Sequence, residues 1–260
     1  MGIALHGGTS FPVGKVDFLK LYPLSFREFL MACGKERFAE LMDNGDYTMI
    51  TSFRQTYIDL LKQYYFVGGM PEAVLYFVDN QDFNKVREVQ ARILTAYEQD
   101  FSKHAPNEIV PRVNTPHLPL KAYEDIKAFK LFLVDVGLLG CMTGLHQKIL
   151  LDGNNLFMEF KGALTKQYVF QQLVTISNLK IYYYTNDRGS CEVDFIIDDG
   201  IEVTPIEVNA ESNLKAKILK TYCEKYTPNR AIRTSMADYK EEKNLTNIPL
   251  YVIEEIEKQI

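Results

Sequence analysis

The sequence predicts an α/β protein, with a helical N-terminal part followed by a layered part of strands and helices. Three observations carry that prediction. Between Ser25 and His104 apolar residues recur at helical spacing. Between His104 and Lys121 the period stops, and APNEIVPRVNTPHLPL places four prolines in a short stretch, which reads as a linker or domain boundary. From Lys180 onwards short runs alternate with period two around a tight turn, the mark of strands. A chain of 260 residues has material for one large domain or two modest ones.

Taken in order, the chain opens on a strand-like piece and a Gly-rich loop. Gly8 and Gly14-Lys15 fail as a phosphate loop, because five residues separate the glycines and Val16 follows the lysine. A P-loop needs four, and then a hydroxyl for Mg²⁺. A second strand-like piece runs from Val16 to Leu21. Ser25 is placed as an N-cap with Glu28 at the capping-box position, predicting a helix to about Ala32. A second helix is expected over Glu36–Met42. A third covers Ser52–Phe66, with Phe53, Tyr57, Leu60, Leu61 and Tyr64 on one face. Gly68-Gly69 ends it, and Pro71 starts another through Val78. Phe83–His104 reads as one long helix. After the proline-rich stretch, Tyr123–Met142 reads as a strand or helix start running into a short helix. An amphipathic helix follows over Leu156–Ser177, then a strand over Lys180–Thr185. Cys191–Ala210 reads as a hairpin turning at Asp198-Asp199-Gly200, with Val193, Phe195 and Ile197 alternating against Glu192, Asp194 and Ile196. Asn213–Tyr226 is a further helix. Ala231-Ile232-Arg233 and Leu250-Tyr251-Val252-Ile253 read as the final strands.

Composition narrows the function. The chain is 47% hydrophobic and 24% charged, rich in Tyr and Phe, without Trp, and carries a net charge of −5. That balance argues against binding nucleic acid through bulk charge, leaving local basic patches. Cys33, Cys141, Cys191 and Cys223 form no C-x-x-C pair, so neither a zinc site nor a disulfide framework is indicated. No signal peptide or membrane-length apolar run is present, which predicts a soluble, cytoplasmic protein without a membrane partner.

The hairpin holds the residues that most resemble a site. Asp194 and Glu207 on adjacent strands could project into one cleft, and two carboxylates are what a divalent ion such as Mg²⁺ takes as hard oxygen ligands. The plainer alternative is a hairpin with polar residues on its wet face. Glu202 and Glu211 flank the second strand as substitute ligands or as solvated surface acids. Lys215, Lys217 and Lys220 could contact phosphate or form the wet face of their helix.

A helix, a hairpin with a strand-borne Asp, E-V-x on the next strand and a further helix resembles the restriction-endonuclease-like core, an α/β domain with a mixed sheet and the motif PD-(D/E)-x-K. The matching positions are Asp194 in EVDF, Glu207 in IEVNA, and Asn209 where that family places its Lys. Four stretches in order, FPVGKVDFLKLYPLSFREFL, YYFVGGMPEAV, FKLFLVDVGLL and EVDFII…PIEVNA, resemble the C-terminal half of a prokaryotic family. Its members carry an AAA-type ATPase core, a helical segment and a degenerate nuclease-like domain of unknown function. The resemblance implies a remnant of the ATPase core over 1–22, a helical region over 23–112, a linker and short α/β connection over 113–155, and a nuclease-like domain over 156–260. It implies no ATP hydrolysis by this chain alone, and DNA, a protein partner or an ATPase core as partners.

Two departures bear on chemistry. The family usually carries a further segment resembling a winged helix where this chain passes from Val113 to Thr115. The site itself is also altered: in the nuclease mechanism two carboxylates hold a metal, a Lys positions water, and a Glu on the preceding helix often completes the shell. Here the Lys position is Asn209 and the helix position is Lys166, in KGALTKQYV. Losing an electrostatic stabiliser of that kind costs about 10²–10³ in rate, unless Lys166 supplies the missing charge from its own helix. The resemblance therefore predicts a nuclease-like domain serving recognition or regulation, with a metal-dependent endonuclease using Asp194, Glu207 and Lys166 as the alternative.

Overall fold

The computed structural model describes residues 19–100, 107–146, 155–177, 179–186, 189–212 and 217–259. Gly8, Gly14-Lys15, Lys103, His104 and Lys215 lie outside them. Among the described residues helices are followed by a mixed sheet of eight strands, so the chain is α/β with a helical N-terminal region, as the sequence predicts.

Helix α1 (Phe26–Ala32) starts where the capping box places it: the Ser25 hydroxyl accepts from the Glu28 amide, and the Glu28 carboxylate accepts from the Ser25 amide. Two donors that a helix start leaves unpaired are thereby satisfied. Helices α2 (Glu36–Asp43), α3 (Tyr47–Ser52), α4 (Arg54–Val67), α5 (Pro71–Asn80) and α6 (Phe83–Asp100) follow. The helix expected over Ser52–Phe66 is α4, which starts two residues later after a break at Phe53; α3, capped by the Asp46 side chain, precedes it and was not expected. The end of the helix expected to reach His104 lies outside the described residues.

The Gly68-Gly69 pair does more than end α4. Gly68 holds φ +73°, where a side chain is strained, and a Cβ there would lie 2.2 Å from Asp135. A Cβ on Gly69 would lie 2.1 Å from the Leu24 carbonyl oxygen. The Asp135 carboxylate accepts from the Gly69 amide at 2.6 Å and caps α7 (Val136–Met142) through the Leu138 amide at 2.9 Å. Two of the motifs singled out in the sequence, YYFVGGMPEAV and FKLFLVDVGLL, are therefore the two halves of one buried junction.

Helix α8 (Asn155–Leu173) is the pillar of the molecule. From Leu164 to Leu173 it is buried on nearly every side, so it is not the amphipathic surface helix its spacing suggests. Its glutamines meet the backbone of neighbouring elements. Gln167 bonds both backbone groups of Leu133, Gln171 accepts from the Val136 amide, and Gln172 accepts from the Phe26 amide at the start of α1. Tyr168 packs edge-on against Phe26 and Tyr64, contacts worth about 0.5–1.5 kcal/mol each beyond the area they bury.

The strands are β1 (Asn107–Val113), β2 (Glu124–Leu133), β3 (Lys180–Thr185), β4 (Glu192–Asp198), β5 (Val203–Val208), β6 (Ala231–Ser235), β7 (Lys240–Glu242) and β8 (Leu245–Pro249). Their order is β2-β1-β3-β4-β5-β6-β8-β7. β1–β3, β5–β6 and β6–β8 run parallel; the other neighbours are antiparallel. Helix α9 (Lys217–Tyr226) packs on β4 and β5.

Two expectations are corrected here. The stretch read as a linker carries β1, whose Pro111 sits at a register shift against β2, the kind of position where a strand tolerates a residue that cannot donate. Leu250–Ile253 is not a strand: it opens a 3-10 helix over Leu250–Gln259 that buries Leu250, Tyr251, Val252, Ile253 and Ile256 completely. A short apolar run fits a buried helix as well as a strand.

One hydrophobic cluster takes in Phe26 and Tyr64 from the helices, Tyr168 from α8, Phe195, Ile206, Ile232 and Ile248 from the sheet, and Ile256. Helices and sheet share that core. A smaller cluster on the other face joins Tyr182, Val193 and Ile196 to Tyr222 of α9.

Candidate functional site

β4 does not keep its predicted alternation. Tyr182 pairs with Ile196 and Tyr184 with Val193, so Asp194 and Phe195 together oppose the single residue Tyr183. This is a β-bulge, which re-aims side chains locally. Its effect is visible in the packing: Val193 and Ile196 join the smaller cluster, while Phe195 and Ile197 join the larger one. Nor is the hairpin a surface one, since β4 is buried from Val193 to Asp198.

At the bulge the Asp194 carboxylate enters the sheet's own bonding. Its Oδ2 accepts from the Val208 amide at 2.9 Å, beyond the Phe195–Ile206 pair. Its Oδ1 lies 2.5 Å from Lys166 Nζ; the Asp194 side chain is 10% exposed and that of Lys166 39%. Burial works against the Lys166 charge, but Asp194, and after it Glu192 and Glu207, hold its pKa above the ordinary value.

Glu207 stands on β5 opposite Arg233 of β6. Burial pushes its carboxyl up to about 7, and the Asp194 charge adds to the rise; Lys166, the Leu219 amide of α9 and Arg233 pull the other way. Its Oε2 is buried and has no hydrogen-bond partner. Asp194 and Lys166 are in direct contact, and Glu207 lies near enough to feel the charge of both.

Asn209 is placed differently. Its amide donates to the Thr234 carbonyl at 2.8 Å, extending the β5–β6 ladder. Its Oδ1 accepts from the Glu211 amide at 2.9 Å, a local turn that ends the strand. Glu211 pairs with Lys161 of α8 at 2.7 Å, and Glu202 accepts from the Asn229 side chain at 3.1 Å and pairs with Arg230 at 3.9 Å. Lys217 and Lys220 are exposed on α9, opposite its buried Leu219 and Tyr222. Arg112 forms an ion pair with Asp125.

The donor set does not suit Mg²⁺. One carboxylate is already held by an ammonium and a backbone amide. Among the described residues no group of three or more His, Cys, Asp or Glu side chains is placed to hold a metal ion.

Arg233 was not singled out by the sequence. It is 3% exposed, and its Nε donates to Asn247 Oδ1 at 3.0 Å. The signal available was a charged residue inside the apolar run AIRTS; its position opposite Glu207 depends on the parallel register.

Comparison with known proteins gives domains without an assigned role. Residues 161–253 match the family model of a domain of unknown function, DUF4143. That span holds Lys166, Asp194, Glu207 and Asn209. Residues 58–115 match a second domain of unknown function, DUF8612, which covers α4 to β1. No curated protein and no solved structure matches the chain. Among the described residues no helix is long and apolar enough to cross a membrane.

Proposed function

We propose that this chain is a nuclease-like module that serves recognition or regulation through protein or nucleic-acid contacts and does not cleave DNA. It would act as the C-terminal part of an AAA-type ATPase-family protein. The observation that carries the reading is the Lys166–Asp194 ion pair. It places a fixed positive charge against the carboxylate a nuclease would give to its metal, and a cation there opposes metal binding. The ATPase association is supported by DUF4143, a domain often found in AAA-ATPase-associated proteins.

The test is incubation of supercoiled plasmid with the full chain in Mg²⁺ or Mn²⁺, with Asp194→Ala as control. The expected result is no nicking above the control. Nicking that disappears in Asp194→Ala would overturn the reading and favour its competitor, a metal-dependent endonuclease using Asp194, Glu207 and Lys166. The observation in favour of that competitor is the unpartnered Oε2 of Glu207.

A further inference from the structure

We infer that Lys166 is a resident cation: its ammonium stands in for a divalent ion beside Asp194 and Glu207, so that this end of the sheet is held together without metal. The inference rests on the non-catalytic reading above and deepens it.

The geometry supports a fixed role for this lysine. Its neighbours on α8 are locked in place. Gln167 bonds the Leu133 backbone on one side, and the buried Thr165 hydroxyl donates to the Lys161 carbonyl at 2.7 Å on the other. Tyr168, one position further, donates to the Leu250 carbonyl at 3.0 Å. These bonds fix the stretch of α8 from which the Lys166 side chain springs. Both oxygens of Asp194 are already engaged, one by the ammonium and one by the Val208 amide. The pattern repeats on the same helix, where Lys161 takes up Glu211 just beyond β5. Two α8 lysines thus each take up a carboxylate, Asp194 on β4 and Glu211 just beyond β5. A divalent ion would have to displace the Lys166 ammonium and then sit beside it, which like charges oppose. Removing the ammonium should therefore create a metal site where none works now.

The experiment is calorimetric titration of the full chain with Mn²⁺ alone, together with thermal unfolding with and without Mn²⁺. It compares the natural chain, Lys166→Met, Lys166→Glu, and Lys166→Glu combined with Asp194→Asn. The natural chain is expected to give no saturable Mn²⁺ binding and no change in Tm. Lys166→Glu, which adds a third carboxylate, should bind Mn²⁺ saturably and gain Tm from it, and Asp194→Asn should abolish both effects. Saturable Mn²⁺ binding by the natural chain that depends on Asp194 would overturn the inference. So would a folded Lys166→Glu chain that binds none. Should Lys166→Glu fail to fold, Lys166→Met decides: Mn²⁺ affinity above that of the natural chain supports the inference, and equal affinity overturns it. Mn²⁺ binding by the natural chain without plasmid nicking would defeat only the resident cation, leaving the non-catalytic reading in place.

Discussion

At the scale of single residues, Glu207 carries the sharpest pH signature. Its carboxyl sits at about 7 in the folded chain against an ordinary 4.5. A raised carboxyl means that the folded state holds its proton more tightly than the unfolded chain does. The associated stability is complete below about 4.5 and is lost as pH rises through about 7. Glu207→Gln keeps the shape and removes the titration. Its stability by urea denaturation should fall less between those limits, and it should exceed that of the natural chain above pH 7. A slope will remain, because burial also raises Glu254 to about 7. An unchanged pH profile in Glu207→Gln would mean that Glu207 is ionised throughout. Asp194 and Glu207 can be singled out in the sequence by motif spacing, and Lys166 by the helix position the resemblance gives it. The bulge at Asp194 cannot, since an extra residue in a strand shows only against its partner. Asn209 was found by position, yet its Oδ1 is engaged in a turn.

At the scale of elements, glycines and glutamines decide how the helices meet the sheet. Gly69 lies so close to Leu24 that any side chain must push the backbone apart. Gly69→Ala should therefore cost at least about 1–3 kcal/mol of stability, the usual range for overpacking a filled site. Ala at Gly34, where nothing lies within 4 Å but φ is +69°, should cost about 1 kcal/mol from backbone strain alone. Chemical denaturation of the two variants measures the difference; equal losses would show that the Gly69–Leu24 approach is not rigid. Local chemistry made many boundaries readable. The capping box set the start of α1, Pro71 set the start of α5, and Gly200 at φ +90° sits in the predicted turn. The errors came where tertiary contacts override local signals. Prolines disguise β1, which pairs with β2 across a register shift at Pro111 and makes two parallel pairs with β3. The Leu250–Ile253 run was read as a strand because burial on every side erases periodicity. α8 misleads in the opposite way: its glutamines make an amphipathic pattern in the sequence but are buried in the fold, each bonded to a neighbour's backbone.

At the scale of the molecule, the change in pattern near His104 suggested a boundary, yet the helices and the sheet share one hydrophobic cluster with α8 inside it. That arrangement gives the ion pair its meaning. Lys166 leaves the central helix and reaches across to a bulge in the sheet, so the pair ties the pillar of the core to the strand that carries the candidate site. A cation that belongs to the architecture should couple energetically to its carboxylate in the absence of any metal. The most direct measurement is a double-mutant cycle on stability with Lys166→Met, Asp194→Asn and the pair together, in the presence of a chelator. Residues in such contact interact by about 0.5–3 kcal/mol, and a coupling of that size is the predicted result. Additivity to within about 0.3–0.5 kcal/mol would contradict it, because it would mean that Lys166 only rests against Asp194 and does not hold it.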